Sequence, residues 1–255
     1  MKLFFILISV VLINTSCVHV YYAPSNANSP LLSHKGEARV NGLYTTGWDS
    51  EFDGGELQLA YAVTNHFGVM ANGFTAGKSE VVSDWEVMGD FGPSPGGHRE
   101  KGHGSYLELA GSYYKTFQEK FILEAYGGYG FGRVDNDYGS GQTSRNRISK
   151  IFVQPAVGCK IRNVEFGVAQ RIGLMNWNFK DHYGSLPQDI FSYRVQRLFI
   201  FEPSITVRAG FPNVKFQLSM AHTNVLNTNY VNADIESLTI GMGVSINFDA
   251  LKKRQ

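Results

Sequence analysis

Residues Leu238 to Phe248 read L-T-I-G-M-G-V-S-I-N-F, and two sets of side chains separate along them. Leu238, Ile240, Met242, Val244, Ile246 and Phe248 form one unbroken apolar register, while Thr239, Gly241, Gly243, Ser245 and Asn247 form a small or polar one. A period of two places these sets on opposite faces of a β-strand. At roughly 3.3 Å per residue and a tilt of ~40°, the stretch rises about the ~25 Å height of an outer-membrane apolar band. It ends in an aromatic residue, Phe248.

Upstream, the same alternation returns between turn-forming residues. The pattern predicts strands over 37–48, 55–64, 67–77, 104–116, 121–133, 148–161, 164–175, 196–208, 214–225 and 236–248. Outward sets include Leu57, Leu59, Tyr61 and Val63; Phe121, Leu123, Tyr129 and Phe131; Val164, Phe166 and Val168; and Val214, Phe216, Leu218 and Met220. Tight connections (Asn65-His66, Phe117 to Lys120, Arg162-Asn163, Phe211 to Asn213) alternate with longer ones (Asp49 to Gly54, Lys78 to His103, Val134 to Arg147, Asn176 to Val195, Leu226 to Ile235). Short periplasmic turns and longer external loops are the polarity of bacterial barrels. The expected fold is all-β: an up-and-down antiparallel transmembrane β-barrel of about ten strands, with both termini in the periplasm.

Opposite the apolar sets lie Arg39, Lys160, Arg171, Arg208 and Lys215, with Glu56, Glu108, Glu124, Glu165 and Glu202. A soluble β-sandwich or lipocalin-like barrel would bury these in a dry core, at a cost for every unpaired charge. Facing the lumen of a membrane barrel they can pair and stay hydrated. Tyr44, Trp48, Phe67, Tyr113, Phe117, Phe121, Phe131, Trp177 and Phe248 fall near strand ends, where an interfacial girdle belongs. About ten strands enclose a narrow interior, whereas water-filled porins need roughly 16–18, so a general diffusion pore is not expected.

The 255 residues carry 23 Lys+Arg against 22 Asp+Glu, a formal net charge of +1, which gives no electrostatic case for nucleic acid. A mean hydropathy of −0.16 resembles that of a soluble chain, but alternating strands dilute their own hydrophobicity. The continuous apolar run Leu3 to Ile13, after Lys2, has the length of a signal-peptide core and is short for a membrane span. It leads into Asn14-Thr15-Ser16-Cys17, a lipobox-like end in which Asn14 replaces the usual aliphatic residue. Residues 1–17 thus read as a signal peptide, with Cys17 the candidate lipidation site; an ordinary signal peptide is the alternative. Cys159 is then left without an intrachain partner and reads as a small lipid-facing residue, a Cys17–Cys159 disulfide being the competing possibility.

Val18 to Lys35 holds Pro24 and Pro30 and shows no sustained period, so it reads as an extended periplasmic tether. Residues 36–248 form the expected barrel, and 249–255 a short periplasmic tail. No acidic run follows Cys17, which places the expected anchor on the periplasmic side of the outer membrane.

On these patterns, residues 36–248 resemble the small bacterial outer-membrane β-barrels of the OmpA-like and OmpX-like class, with a lipoprotein-type signal peptide. The resemblance implies a Gram-negative outer-membrane location, contact with outer-membrane lipid and no cofactor.

Several residue sets have the composition of a chemical site. Gly127-Gly128-Tyr129-Gly130-Phe131-Gly132 lies within a strand pattern, whereas a dinucleotide fingerprint must open a helix. His98 and His103 fit no compact metal motif. Asp84, Glu86 and Asp90 read as a solvated loop, and Asp181, His182 and Asp189 as candidates for acid/base work at the barrel mouth. Ala221-His222-Thr223-Asn224, with Glu236 on the next strand, resembles the His-x-Ser-Asn site of lipid A deacylases. That resemblance implies a lipid-modifying enzyme built on His222 and Glu236. Asn224, however, stands in the position of the nucleophilic serine, and Thr223 faces the other way. The function expected from the sequence is therefore non-enzymatic: a structural, surface-interaction or assembly role through the external loops. Trp85, Met88 and Phe91 would be apolar anchors for a protein partner, or would pack down onto the barrel mouth.

Overall fold

Within a bilayer no water is available to main-chain N–H and C=O groups, so strands that cross it must pair on both edges. The computed structural model of the chain meets this condition. It describes residues 21–48, 52–82, 98–137, 143–183, 195–226 and 234–248. The barrel strands are β1 (Ala38–Gly47), β2 (Asp53–Ala62), β3 (Phe67–Val82), β4 (His98–Phe117), β5 (Phe121–Asp137), β6 (Thr143–Ile161), β7 (Val164–Tyr183), β8 (Val195–Gly210), β9 (Val214–His222) and β10 (Leu238–Asn247). Each pairs antiparallel with the next in sequence. On its other edge β10 meets β1, with Met242 opposite Tyr44, and this closes the barrel. The described residues contain no helix.

The strands lengthen on the side of the long connections. β3 runs to Val82, β4 begins at His98 and β7 continues to Tyr183, so His98 and His103 lie on a strand and not in a loop. The alternation that marks a strand in sequence is the alternation of apolar side chains, and it stops where the outward register turns polar. Ladder hydrogen bonds are made by the main chain and continue past that point.

The polarity of the wall inverts along the barrel axis. Near the short turns the outward register is Phe121, Leu123, Val157, Ile161, Val164 and Val207, all exposed, while charged residues point inward. The neighbours Ile151, Leu174 and Phe199 form an outer apolar row across β6, β7 and β8. The adjoining row toward the long connections is Ser149, Asn176 and Arg197. Around and above this row the interior carries an apolar cluster of Phe52, Phe74, Tyr106, Val134, Ile148, Met175, Trp177, Leu198 and Ile200, with Asn136, Ser144 and Asn146 also buried toward the long connections. The wall has the polarity of a membrane barrel in its lower part and of a water-exposed β-barrel in its upper part. Trp177 belongs to that upper core, at 1% exposure, and not to the interfacial girdle. The other girdle aromatics, Tyr44, Trp48, Phe67, Tyr113, Phe117, Phe121, Phe131 and Phe248, do face outward.

The path of the N-terminal segment departs furthest from the expected free periplasmic tether. Tyr21–Tyr22 pairs in parallel with Asp234–Ile235, between β9 and β10 on the long-connection side. Ala23 packs against the upper apolar core. Every residue from Pro24 to Leu32 is buried. At the short-turn end the Lys35 N–H donates to Asn65 Oδ1 (3.1 Å) and the Gly36 N–H to the Ala62 carbonyl (2.9 Å). The segment is extended, as expected, but it runs down the lumen of its own barrel.

Candidate functional site

The lumen wall gathers its charges into two groups. In the first, Lys150 Nζ lies 2.9 Å from Glu108 and 3.5 Å from Glu202, while Arg171 reaches the same two carboxylates at 3.2 and 3.4 Å. Antiparallel register sets Arg171 directly opposite Glu202. The Arg171 guanidinium also lies 5.1 Å from the Phe152 ring centroid. In the second group, nearer the short turns, Glu165 accepts from both terminal nitrogens of Arg39 and from Lys215 (3.1 Å), with Arg208 at 3.5 Å. All five positive and five negative residues expected to face inward do so, with Lys160 partly exposed. Lys150 and Glu37 join them. Coulomb attraction in such groups mainly offsets desolvation, so their contribution is a defined register more than net stability.

Between these charges runs the threaded segment, held by each strand from β1 to β8. Asn26 donates its N–H and side-chain amide to Glu56 (3.2 and 3.1 Å) and its amide to Thr45 (3.4 Å). The Asn28 amide donates to Asn72 Oδ1 (3.0 Å), and its carbonyl accepts from Gln154 (2.7 Å). The carbonyls of Ser25, Ser29 and Ser33 accept from Arg171 (3.4 Å), Arg208 (2.9 Å) and Thr116 (3.3 Å). After Pro30 the chain bends through Leu31, whose φ of 56° is left-handed. That bend aims two successive N–H groups, of Leu31 and Leu32, at the Glu124 carboxylate (3.1 and 2.7 Å). Adjacent N–H groups so arranged make an anion-binding concavity.

The wall leaves room for the segment with glycine. A Cβ at Gly158 would come 2.5 Å from Leu31, one at Gly68 2.6 Å from Leu32, and one at Gly241 2.7 Å from Asn26.

Glu37 ties the lower end of the segment to the wall. Its carboxylate accepts from the Ser33 N–H (2.7 Å), Lys160 and the Asn247 amide (2.7 Å). Burial pushes this carboxyl up, but Lys160 and Arg39 outweigh burial and hold it at about 2 against an ordinary 4.5. A carboxyl whose folded-state value is depressed adds stability above its unfolded value and loses it as pH falls toward the folded value. Hydrogen exchange at Ser33–Gly36 is therefore expected to speed up as pH falls from about 4.5 to about 2, beyond the intrinsic pH dependence of exchange. Glu37→Gln should flatten that excess; an excess unchanged in the variant would refute the role.

The other residues singled out from sequence are dispersed. Cys17, Asp84, Trp85, Glu86, Met88, Asp90, Phe91 and Asp189 lie outside the described residues. His222 is half-buried on the outward register, its Nε2 3.2 Å from Asn224 Oδ1. Glu236 is buried and accepts from the Trp48 N–H (2.9 Å) and the Leu238 N–H (3.3 Å). Among the described residues no cluster of three or more His, Cys, Asp or Glu could hold a metal ion.

Apolar residues outward over a membrane-high band, paired charges inward and a closed ten-strand ladder define an outer-membrane β-barrel. No protein-family model matches the sequence, and a search of curated proteins finds no match. Among solved structures, the N-terminal β-barrel domain of Pseudomonas aeruginosa OprF is 12% identical, covering 84% of this chain and 98% of its own, with a TM-score of 0.32. The translocator domain of the autotransporter NalP from Neisseria meningitidis is 8% identical, covering 85% and 90%, with a TM-score of 0.45. The outer membrane protein OprG from Pseudomonas aeruginosa is 11% identical, covering 85% and 98%, with a TM-score of 0.38. At such scores these likenesses carry no weight beside the barrel's own polarity.

Proposed function

We propose that this chain is a non-conducting, non-enzymatic outer-membrane barrel that serves as a surface scaffold, presenting its long-connection end to a protein partner. One observation carries this reading: the lumen is filled along its length by the chain's own segment, with Pro24 to Leu32 buried against paired charges. A diffusion channel needs a continuous water path, and here salt-linked side chains, the threaded segment and the upper apolar core lie in series. The upper core also supports the reading. It makes the part of the barrel beyond the membrane a rigid mount for the connections 83–97 and 184–194, and rigid scaffolds with variable loops are a common arrangement for recognition.

Purified protein in planar bilayers is expected to show no steady single-channel conductance. Large, long-lived openings would overturn the scaffold reading. Lipid A from cells with and without the protein is expected to be identical by mass spectrometry; loss of an acyl chain that depends on His222 would instead establish the deacylase-like enzyme.

A further inference from the structure

The direction of threading has a topological consequence. The chain enters the lumen at the level of the upper apolar core, where Ala23 packs, and leaves it beside the short turns, where Lys35 bonds to Asn65. β1 then climbs back toward the long connections. We infer that the barrel carries its own N-terminal flank across the membrane, so that the residues before Tyr21 lie on the face that bears the long connections.

Reach makes this specific for Cys17. Four residues separate it from Tyr21, so the chain between them can span at most about 14 Å. From Ile148, in the core that Ala23 joins, to Ile161 at the short-turn end, the wall of β6 rises roughly 33 Å at ~3.3 Å per residue and a ~40° tilt. Cys17 therefore cannot reach the short-turn rim while the segment is threaded. Cys159, opposite Phe121 and Phe166 at that rim, is beyond its reach, which removes the intramolecular disulfide. With the short turns in the periplasm, a lipid on Cys17 enters the outer leaflet, at the cell surface, and not the inner leaflet expected for a periplasmic tether.

The same geometry orders assembly. The lumen offers no free passage once closed, because the segment's main chain is bonded to six strands and its Asn26 and Asn28 amides to two more. The segment must be laid against the wall while the β1–β10 seam is open. Glycines facing Leu31, Leu32 and Asn26 and carboxylates facing its N–H groups form the track that receives it.

The test uses the full chain in its own outer membrane. A His19→Cys substitution in a Cys159→Ser background is labelled with a membrane-impermeant maleimide, against the background chain as baseline. Phe91→Cys and Pro212→Cys in the same background report the two faces. Labelling of His19→Cys on intact cells, matching Phe91→Cys, with Pro212→Cys labelled only after the outer membrane is permeabilised, is the expected result. Labelling of His19→Cys only after permeabilisation would overturn the inference. A second pair guards against a local effect of the label site. Asn28→Cys with Asn72→Cys replaces side chains now hydrogen-bonded at 3.0 Å and should cross-link under oxidation in barrels that keep a folded, heat-modifiable mobility. Folded barrels that fail to cross-link would refute the threading itself.

Discussion

Arg171→Met is expected to destabilise the folded barrel by about 3–5 kcal/mol, because it leaves buried carboxylates with too few cations. Glu108 and Glu202 would then share Lys150 alone, at 2.9 and 3.5 Å, in a wall where all four side chains are fully or almost fully buried. The loss should be recovered in large part by Arg171→Met with Glu202→Gln, which restores charge balance without restoring the ion pair. A double-mutant cycle on urea unfolding in lipid vesicles separates that coupling from the loss of packing against Phe152. A loss below about 0.5 kcal/mol for the single variant would mean that water screens the group as it does surface pairs, and that the lumen is wet.

What made the fold readable from sequence was the strict parity of residues such as Phe121, Leu123 and Glu124, since one face meets lipid and the other a charged lumen. That contrast exists only at membrane height. Above it, Arg133 and Asp135 point outward and Val134 inward, the reverse of the membrane-height pattern, so in sequence the strand ends read as loops. Trp177 reads as a girdle residue for the same reason, although an aromatic near a strand end belongs to the girdle only if its parity points outward. The threaded segment was harder to read. Its contacts are made by main-chain groups and short amides to Glu56, Glu124, Gln154 and Arg208, far along the chain, and no period marks such contacts. A signal was nevertheless present. Between Pro24 and Pro30 stand only Ser, Asn and Ala, uncharged and small, which suits an extended chain confined among charged side chains. The inward carboxylates were legible one by one; their partners were legible only where register sets them opposite, as with Glu165 and Arg208.

Trp177→Ala offers the sharpest separation of the barrel's two parts, with an expected loss of about 3–5 kcal/mol from a fully buried aromatic. Trp177 is 1% exposed, packed in the upper core with Met175, Leu198 and Ile200 and beside the residues that hold Ala23 and Ile235. Its removal leaves a cavity that the closed ladder of β6, β7 and β8 cannot collapse to fill, because their register is fixed from below by the ion groups. The loss should fall first on the upper rim: hydrogen exchange should rise at Tyr21–Ala23 and Asp234–Ile235 before the membrane-height strands respond. Phe131→Ala, at the outward face where 47% of the residue is exposed, provides the control. In vesicles lipid fills the space that the ring vacates, so its truncation loses transfer energy but leaves no cavity, and its cost should be the smaller of the two. If both variants lost the same stability, with no excess exchange at the upper rim, the division into a membrane barrel below and a soluble barrel above would be wrong. The expected inequality would instead assign the rigid mount of the surface connections, and the point where the N-terminal segment enters, to this one apolar core.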